Sequence, residues 1–393
     1  MFLKIVLKKI WHKKLSSLLC IVLMGIGVAI ISLVANLGKQ LEKSFSENIS
    51  GIDMVVGAKG SPLQLILSSV FHIDAPTGNI SLEEANRIVR SNPQVKSFIP
   101  LSFGDNFKGY RIVGSTPALL EKYKAIFQQG QIFEEPMQVV LGAKAAIDLG
   151  LKLDNVFQSA HGLDAEGETH EQQPYIVSGI LQPTGSVLDK LILCDLSSVW
   201  NIHIHGENEH EEDREITAAL VNFRSPMGLM TMPRMINENS TMQAALPSIE
   251  MNRLLSLFGS AIDISKYLAY LIVVISGLSV FISLYNSLKE EQEEKALMMT
   301  LGASRTTVFG LLLTEGLFLS ALGYILGLVI SRLAMWLINQ FFAKEYLVNL
   351  NLWEISTYEI YLLAMALVIG IISAGLPSIG VYRINLSETL AKH

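Results

Sequence analysis

The stretch Leu15-Ser-Ser-Leu-Leu-Cys-Ile-Val-Leu-Met-Gly-Ile-Gly-Val-Ala-Ile-Ile-Ser-Leu-Val-Ala-Asn-Leu-Gly38 is long and apolar enough to span a bilayer. It runs 24 residues without a charge between Lys14 and Lys39. A helix needs about 20 predominantly apolar residues to cross roughly 30 Å of hydrocarbon. Three more runs of this kind follow. Tyr267 to Leu288 gives 22 uncharged residues, and Ile360 to Tyr382 gives 23. Between Arg305 and Arg332 lie 26 residues with one ionisable group, Glu315. The second run holds twelve Leu, Ile, Val and Phe, each favouring mid-membrane by roughly 0.3 to 0.6 kcal/mol. Buried helices of a soluble core are the plain alternative, but four such runs are hard to place inside one globule.

Composition agrees: 50% hydrophobic and 17% charged residues, with a mean hydropathy of +0.40, describe a membrane chain. The first fourteen residues carry Lys4, Lys8, Lys9, Lys13 and Lys14 and no acid. Basic residues flanking a first span stay in the cytoplasm, so both termini are expected inside. The 228-residue block from Lys39 to Lys266 is then outside; with 18 basic and 27 acidic residues it is a poor partner for nucleic acid. The apolar run far exceeds the roughly 7–15 residues of a signal peptide, and Leu33-Val34-Ala35 is a poor cleavage site, so an uncleaved anchor is expected. Cys20, in a span, and Cys194, outside, cannot pair on this topology.

The reading that follows is an α-helical membrane domain of four transmembrane helices, with a large extracytoplasmic α/β domain inserted between helices 1 and 2. Residues 1–38 form the cytoplasmic N-terminus and first span, and 39–266 the α/β domain with helical stalks. Spans two, three and four occupy 267–288, 306–331 and 360–382. A cytoplasmic loop covers 289–305, an outer loop 332–359 and a cytoplasmic tail 383–393. Leu41, Phe45 and Ile49 recur at helical spacing beyond the first span. Short β-branched runs such as Gln138-Val-Val-Leu and Tyr175-Ile-Val-Ser read as strands. The methionines Met227, Met230, Met232 and Met235 read as an adaptable loop, and Met235 to Phe258 as mostly helical.

The inner loop reads Lys289-Glu-Glu-Gln-Glu-Glu-Lys-Ala-Leu-Met-Met-Thr-Leu-Gly-Ala-Ser-Arg305. Gly302 suits the position just past a helix, and Ser304 suits the N-cap of the next. This is helix, tight turn, helix; a solvated connector is the plain reading of such a unit.

That segment, with Glu315 downstream, resembles the signature of the FtsX/MacB/LolC permease family. The Lys-rich start with Gly25-Ile-Gly27-Val-Ala29, the stretches Val140–Gly150 and Val177–Gly185, and Pro377–Leu390 are similar to other parts of it, in the same order. The family's Arg-Glu-Ile-Gly start is replaced here by Glu293-Glu294-Lys295-Ala296, and its terminal basic cluster is reduced to Arg383.

The resemblance implies the membrane permease subunit of an ABC transporter in the bacterial cytoplasmic (inner) membrane. It implies a homo- or heterodimer served by two separate ATPase subunits that bind the ATP, with the chain itself not an enzyme. Hydrolysis would be relayed mechanically to the outer domain, which would act on a substrate for export or one already in the periplasm, alone or with an adaptor. The coupling residues would be Glu293, Glu294, Leu297, Leu301, Gly302, Ala303, Ser304 and Arg305, the acids from Glu290 to Glu294 facing the ATPase. Glu315 is an intramembrane polar group, costly unless paired. Gly25, Ala29, Gly323 and Gly327 are helix-packing positions. Rival readings are a regulator of an extracytoplasmic partner such as a cell-wall hydrolase, and a membrane-anchored enzyme. No Gly-x-x-x-x-Gly-Lys-Ser/Thr, His-Glu-x-x-His or Gly-x-Ser-x-Gly motif is present.

One polar stretch stands apart. His203-Ile-His205-Gly-Glu-Asn-Glu-His210-Glu-Glu-Asp213 places three His and five carboxylates in eleven residues. Zinc, nickel and copper(II) accept such ligands, which suggests a zinc-linked transport component; a solvated acidic loop is the plain alternative.

Overall fold

The computed structural model describes residues 2–159, 174–203, 214–342, 351–354 and 356–379. The chain opens with α1 (Phe2–His12) and α2 (Lys14–Ile49). There follow β1 (Met54–Ala58), α3 (Pro62–Ser69), β2 (Ile80–Ser81), α4 (Leu82–Ala85), β3 (Val95–Phe107), β4 (Tyr110–Ser115) and α5 (Ala118–Lys122). Next come β5 (Phe127–Gly130), β6 (Gln138–Leu141), α6 (Ala143–Leu149), β7 (Val156–Phe157), β8 (Tyr175–Leu181), β9 (Ile192–Asp195) and α7 (Leu196–His203). Then β10 (Glu215–Ile216), β11 (Ala218–Phe223), α8 (Met227–Asn239) and β12 (Met242–Ala245) lead to α9 (Pro247–Glu290), α10 (Gln292–Thr300), α11 (Arg305–Phe342) and α12 (Thr357–Ser378).

Two compact units divide the chain. One gathers residues up to Leu41, the part of α9 from Leu257, then α10, α11 and α12; the other holds Glu42–Ser256. In the first, four helices are long and apolar enough to cross a membrane: Lys14–Ile49, Asp263–Glu290, Arg305–Phe341 and Thr357–Ser378. Neither α2 nor α9 has an internal proline, so nothing removes a backbone donor along 36 and 44 residues respectively. Pro247 opens α9 at a position where the missing N–H has no helical acceptor to lose.

The second unit is built on one large sheet of order β12-β1-β11-β3-β4-β9-β6-β8-β5, with β7 also paired to β8. Most pairings are antiparallel; β4/β9 and β6/β8 are parallel. Successive side chains point to opposite faces of a strand, and the core follows that rule. Val55, Val113, Val140, Leu193 and Leu220 join one cluster with Leu65, Ile66 and Phe71. Their neighbours Met54, Ile112, Leu141, Ile192 and Val221 build two clusters on the opposite face. Both faces are covered, which is why the strands read as continuous apolar runs rather than as strict alternation.

Two sequence expectations change. The methionine segment is a helix, α8, with Pro233 inside it, and Gly228 lies so close to Phe223 that a Cβ there would strike the ring. The Met235–Phe258 region is interrupted by β12, whose Met242–Ala245 pairs antiparallel with Val55–Ala58. Burial of Met242 and Ala245 against neighbouring strands overrides a helix-forming composition.

Both cysteines are free and buried. The two sheet-unit stretches of the family pattern meet as a parallel pair, Val140 opposite Gly179 and Leu141 opposite Ile180. A Cβ at Gly142 would overlap the Leu188 carbonyl and Asp189, and one at Gly179 would lie 2.5 Å from the Gln131 carbonyl oxygen. Thr184 N and Gly185 N donate to the Asp189 carboxylate at 2.8 and 2.9 Å, closing the turn beside Gly142.

Candidate functional site: a turn-and-helix unit tied down by charge

The second apolar helix ends at Glu290, and Glu291 breaks the helical path before α10 begins. Glu291 accepts from the Ser287 hydroxyl at 2.8 Å. After Thr300 the chain turns through Gly302, whose φ of +104° is readily adopted only without a Cβ. Ser304 then caps α11, its hydroxyl accepting from Thr307 N at 3.2 Å. A half-buried Ala303 lies between Gly302 and Ser304, while Ser304 and Arg305 are exposed.

This short unit is held by a charge cluster. The Lys9 ammonium lies 2.7 Å from Glu315 and 2.9 Å from Glu291. Lys13 reaches Glu290 at 2.7 Å and Glu291 at 3.2 Å. Lys295, 3% exposed, lies 3.3 Å from Glu291 and donates to the Ser287 carbonyl at 3.0 Å. Helix α1 is thus fastened to α10 through Glu291 and to α11 through Glu315. Burial alone would raise the Glu291 pKa, but the Lys9 ammonium, Lys295 and the Ser287 hydroxyl outweigh it and push it down to about 2. Lys295 is lowered to about 8, first by burial and then by repulsion from Lys9, against the pull of Glu291. Burial opposes the charge of Lys13 too, yet its bonds to Glu290 and Glu291 leave its pKa raised.

What α10 does not bury is as telling. Ala296 and Lys295 face inward, while Glu294 is exposed, Leu297 is 54% exposed and Leu301 is 81% exposed. The Glu293 side chain lies outside the described residues. The acids expected to share one outward surface divide instead: Glu291 turns inward, and Glu290 is engaged by Lys13. In the sequence, Lys9 and Lys13 speak only to topology. Their spacing of four on one helix face, beside a lone Glu315, was the available signal.

Glu315 is 6% exposed, and its partner comes from before the first span rather than from another span. Farther along the spans, α2 and α11 approach closely. Space for a Cβ at Gly323 is filled by Met24, and at Gly327 by Val28 and the Gly25 carbonyl. Gly25 faces Leu326, and Ala29 is buried one turn on.

Beyond that crossing lies a second polar cluster. Arg332 Nη2 donates to Glu359 Oε1 at 2.6 Å and to the Glu354 carbonyl at 3.1 Å. Asn36 Nδ2 and the Ser32 hydroxyl donate to the same Glu359 oxygen at 2.9 and 3.2 Å. Ser331 donates to Ser32 at 3.1 Å, and the Tyr324 hydroxyl to the Glu359 carbonyl at 3.1 Å. Glu359 is 3% exposed, so α2, α11 and α12 are joined around one buried anion.

The backbone of His203 ends α7, while its side chain, His205 and His210 lie outside the described residues. Among the described residues no group of three His, Cys, Asp or Glu is placed to hold a metal ion.

Comparison with known families agrees with this layout. Residues 17–226 match the model of the MacB-like periplasmic core domain, and residues 267–386 match the FtsX-like permease C-terminal model. The chain belongs to the FtsX/MacB-like permease family. It is a multi-pass membrane permease of the ABC-transporter type. Among solved structures, the periplasmic region of MacB from Actinobacillus actinomycetemcomitans is similar at 15% identity and a TM-score of 0.36, over 53% of this chain and 97% of that one. No curated protein matches the chain.

Proposed function

We propose that the chain relays ATP hydrolysis by a separate ATPase subunit to an extracytoplasmic α/β domain, inserted between the first and second spans, that acts on an exported or periplasmic substrate. The half-covered α10 carries this reading. Leu297 and Leu301 are apolar, exposed and set on a helix whose other face is pinned by buried charges. An exposed apolar edge beside an exposed Glu294 suits a protein partner better than it suits water. The partner sits on the cytoplasmic side, where the lysine-rich N-terminus belongs. Residues Glu293, Glu294, Leu297, Leu301, Gly302, Ala303, Ser304 and Arg305 form its seat.

The rods that carry the stroke are α2 and α9, roughly 54 and 66 Å long at about 1.5 Å per residue. The apolar lining of the spans argues against a watery route for a hydrophilic solute. Two permease chains, the same or different, work with two ATPases in the cytoplasmic membrane. ATP is held by that partner, and zinc at His203, His205 and His210 is a separate matter that metal titration of the full chain decides.

Two measurements test the reading. Purification in mild detergent should bring down an ATPase, and Leu301→Glu should release it. A cysteine at Leu297 should resist an impermeant thiol reagent added to intact cells; labelling from outside would place α10 on the wrong side for any ATPase.

A further inference from the structure

Helix α1 presents three faces. Val6 is buried, and Lys9 and Lys13 are engaged by Glu290, Glu291 and Glu315. A second face is apolar and bare. Leu7 is 47% exposed, Trp11 73%, Leu15 84% and Leu18 57%, at spacings of four, four and three that carry one stripe from α1 into α2. Two cations flank that stripe: Lys8 and Lys14 are exposed, and the Lys14 ammonium sits 4.7 Å from the Trp11 ring centroid. Among the described residues no carboxylate pairs with Lys8 or Lys14, in contrast to Lys9 and Lys13.

We infer that this face docks on a bilayer surface carrying anionic phospholipid, with Trp11 at headgroup depth and Lys8 and Lys14 against lipid phosphates. Two observations select this occupant. The stripe is continuous with the face of α2, a membrane-crossing helix whose Leu15, Leu18 and Leu19 are 84%, 57% and 55% exposed; these positions open the apolar run that enters hydrocarbon, so the neighbouring Trp11 lies at the boundary. The charge is one-sided: the first fourteen residues hold five lysines and no acid. A neutral surface would leave Lys8 and Lys14 without counter-charge, while an anionic one attracts each. The consequence goes beyond anchoring. Lys9 on the same short helix and Lys13 just past its end grip Glu291, so the lipid surface and α10 hold opposite faces of α1. The inference needs only that the chain is embedded in a membrane, not that an ATPase binds it.

The test uses the full chain with Trp11 as its sole tryptophan (Trp200, Trp336 and Trp353 replaced by Phe), reconstituted with brominated phosphatidylglycerol or brominated phosphatidylcholine. Quenching of Trp11 by each lipid gives their relative affinity at that place. The anionic lipid should be preferred, by about fivefold for each lysine engaged. Lys8→Gln with Lys14→Gln should bring the ratio to near unity. If the reduced-tryptophan chain does not fold, the difference in quenching between wild type and Trp11→Phe reports the same ratio. High salt should abolish the preference in either format. Equal quenching by both lipids, no quenching at Trp11, or a preference surviving the double substitution overturns the inference.

Discussion

The two polar clusters of the membrane unit solve the same electrostatic problem in opposite ways. Around Glu291, three lysines and three carboxylates share contacts, and Lys9, Lys13 and Glu291 each have more than one partner. Around Glu359, one carboxylate oxygen gathers one guanidinium and two neutral side-chain donors. The first arrangement tolerates exchange of partners as helices shift. The second has a single anion and no substitute. Its members come from α2, α11 and α12, whereas the first ties α1 and α10 to the bundle. The contrast separates where the unit is built to yield from where it is built to hold: the end proposed to seat the ATPase is adjustable, and the far end is fixed.

The largest effect should follow loss of the fixed anion. Glu359→Leu leaves the Arg332 guanidinium without its acid partner, a change that costs about 3–5 kcal/mol for a buried pair. Thermal unfolding of the purified chain in detergent reads it. Arg332→Met added to Glu359→Leu should recover most of the loss, because no unpaired charge is left behind. A single substitution as mild as a surface pair would remove the distinction between the clusters.

Between the clusters lies the glycine crossing. Gly327→Leu drives a side chain into Val28 and the Gly25 carbonyl, and overpacking of this kind typically costs about 1–3 kcal/mol. The upper end of that range is expected here, because one of the opposing atoms is backbone. The same unfolding measurement applies, and a fall in disulfide cross-linking between cysteines placed on α2 and α11 should accompany it.

At the adjustable end, Glu291→Gln should cost about 2 kcal/mol, in the range for bonds to charged groups. Lys9 keeps Glu315 and Lys13 keeps Glu290, so only the nearly buried Lys295 is left with a neutral partner. Lys295→Met in the Glu291→Gln background should therefore restore stability, a rescue with no counterpart in exchangeable surface pairs. The pH profile gives a finer reading with a definite sign. Folding lowers Glu291 to about 2, so its contribution is fully present above the ordinary carboxylate range and is lost as pH falls through about 2. Folding also lowers Lys295, from 10.5 to about 8, so the unfolded chain binds more protons in that window and stability should rise from about pH 8 toward 10.5. That rise should vanish in Lys295→Met.

Much of this was legible before any coordinates. Four uncharged runs specify spans because hydrocarbon penalises charge residue by residue, and Gly302 and Ser304 specify a turn and a cap because each meets a local backbone demand. Val140 and Leu141 specify a strand through composition alone. The ionic clusters were not legible, for a physical reason. Lys9, Glu291 and Glu315 are separated by hundreds of residues or by a whole helix, and Arg332 and Glu359 read as the polar ends of two apolar runs. Periodicity reports which face of one helix is wet; it says nothing about which faces of two helices meet. The strand Met242–Ala245 was hidden likewise, since its residues become strand only by pairing with β1.

The smallest effect should come from a solvent-exposed ion pair at the edge of the second cluster. Lys39 and Glu354 lie 2.9 Å apart with side chains 47% and 28% exposed. Water screens such a pair, and fixing two long side chains offsets much of the attraction, so Lys39→Met should cost at most about 1 kcal/mol. The effect should disappear in high salt, where the Debye length shrinks to about 3 Å at 1 M. Glu359→Leu, measured under the same conditions, should keep nearly all of its cost, because Glu359 is shielded from ions by protein. The ratio of the two costs across a salt series therefore isolates burial from distance: both pairs are close, 2.6 and 2.9 Å, and they differ in how much solvent reaches them. If both costs fell together with salt, the fixed end would be no more than a well-drawn surface contact, and the stiffness assigned to it would have to come from the glycine crossing alone.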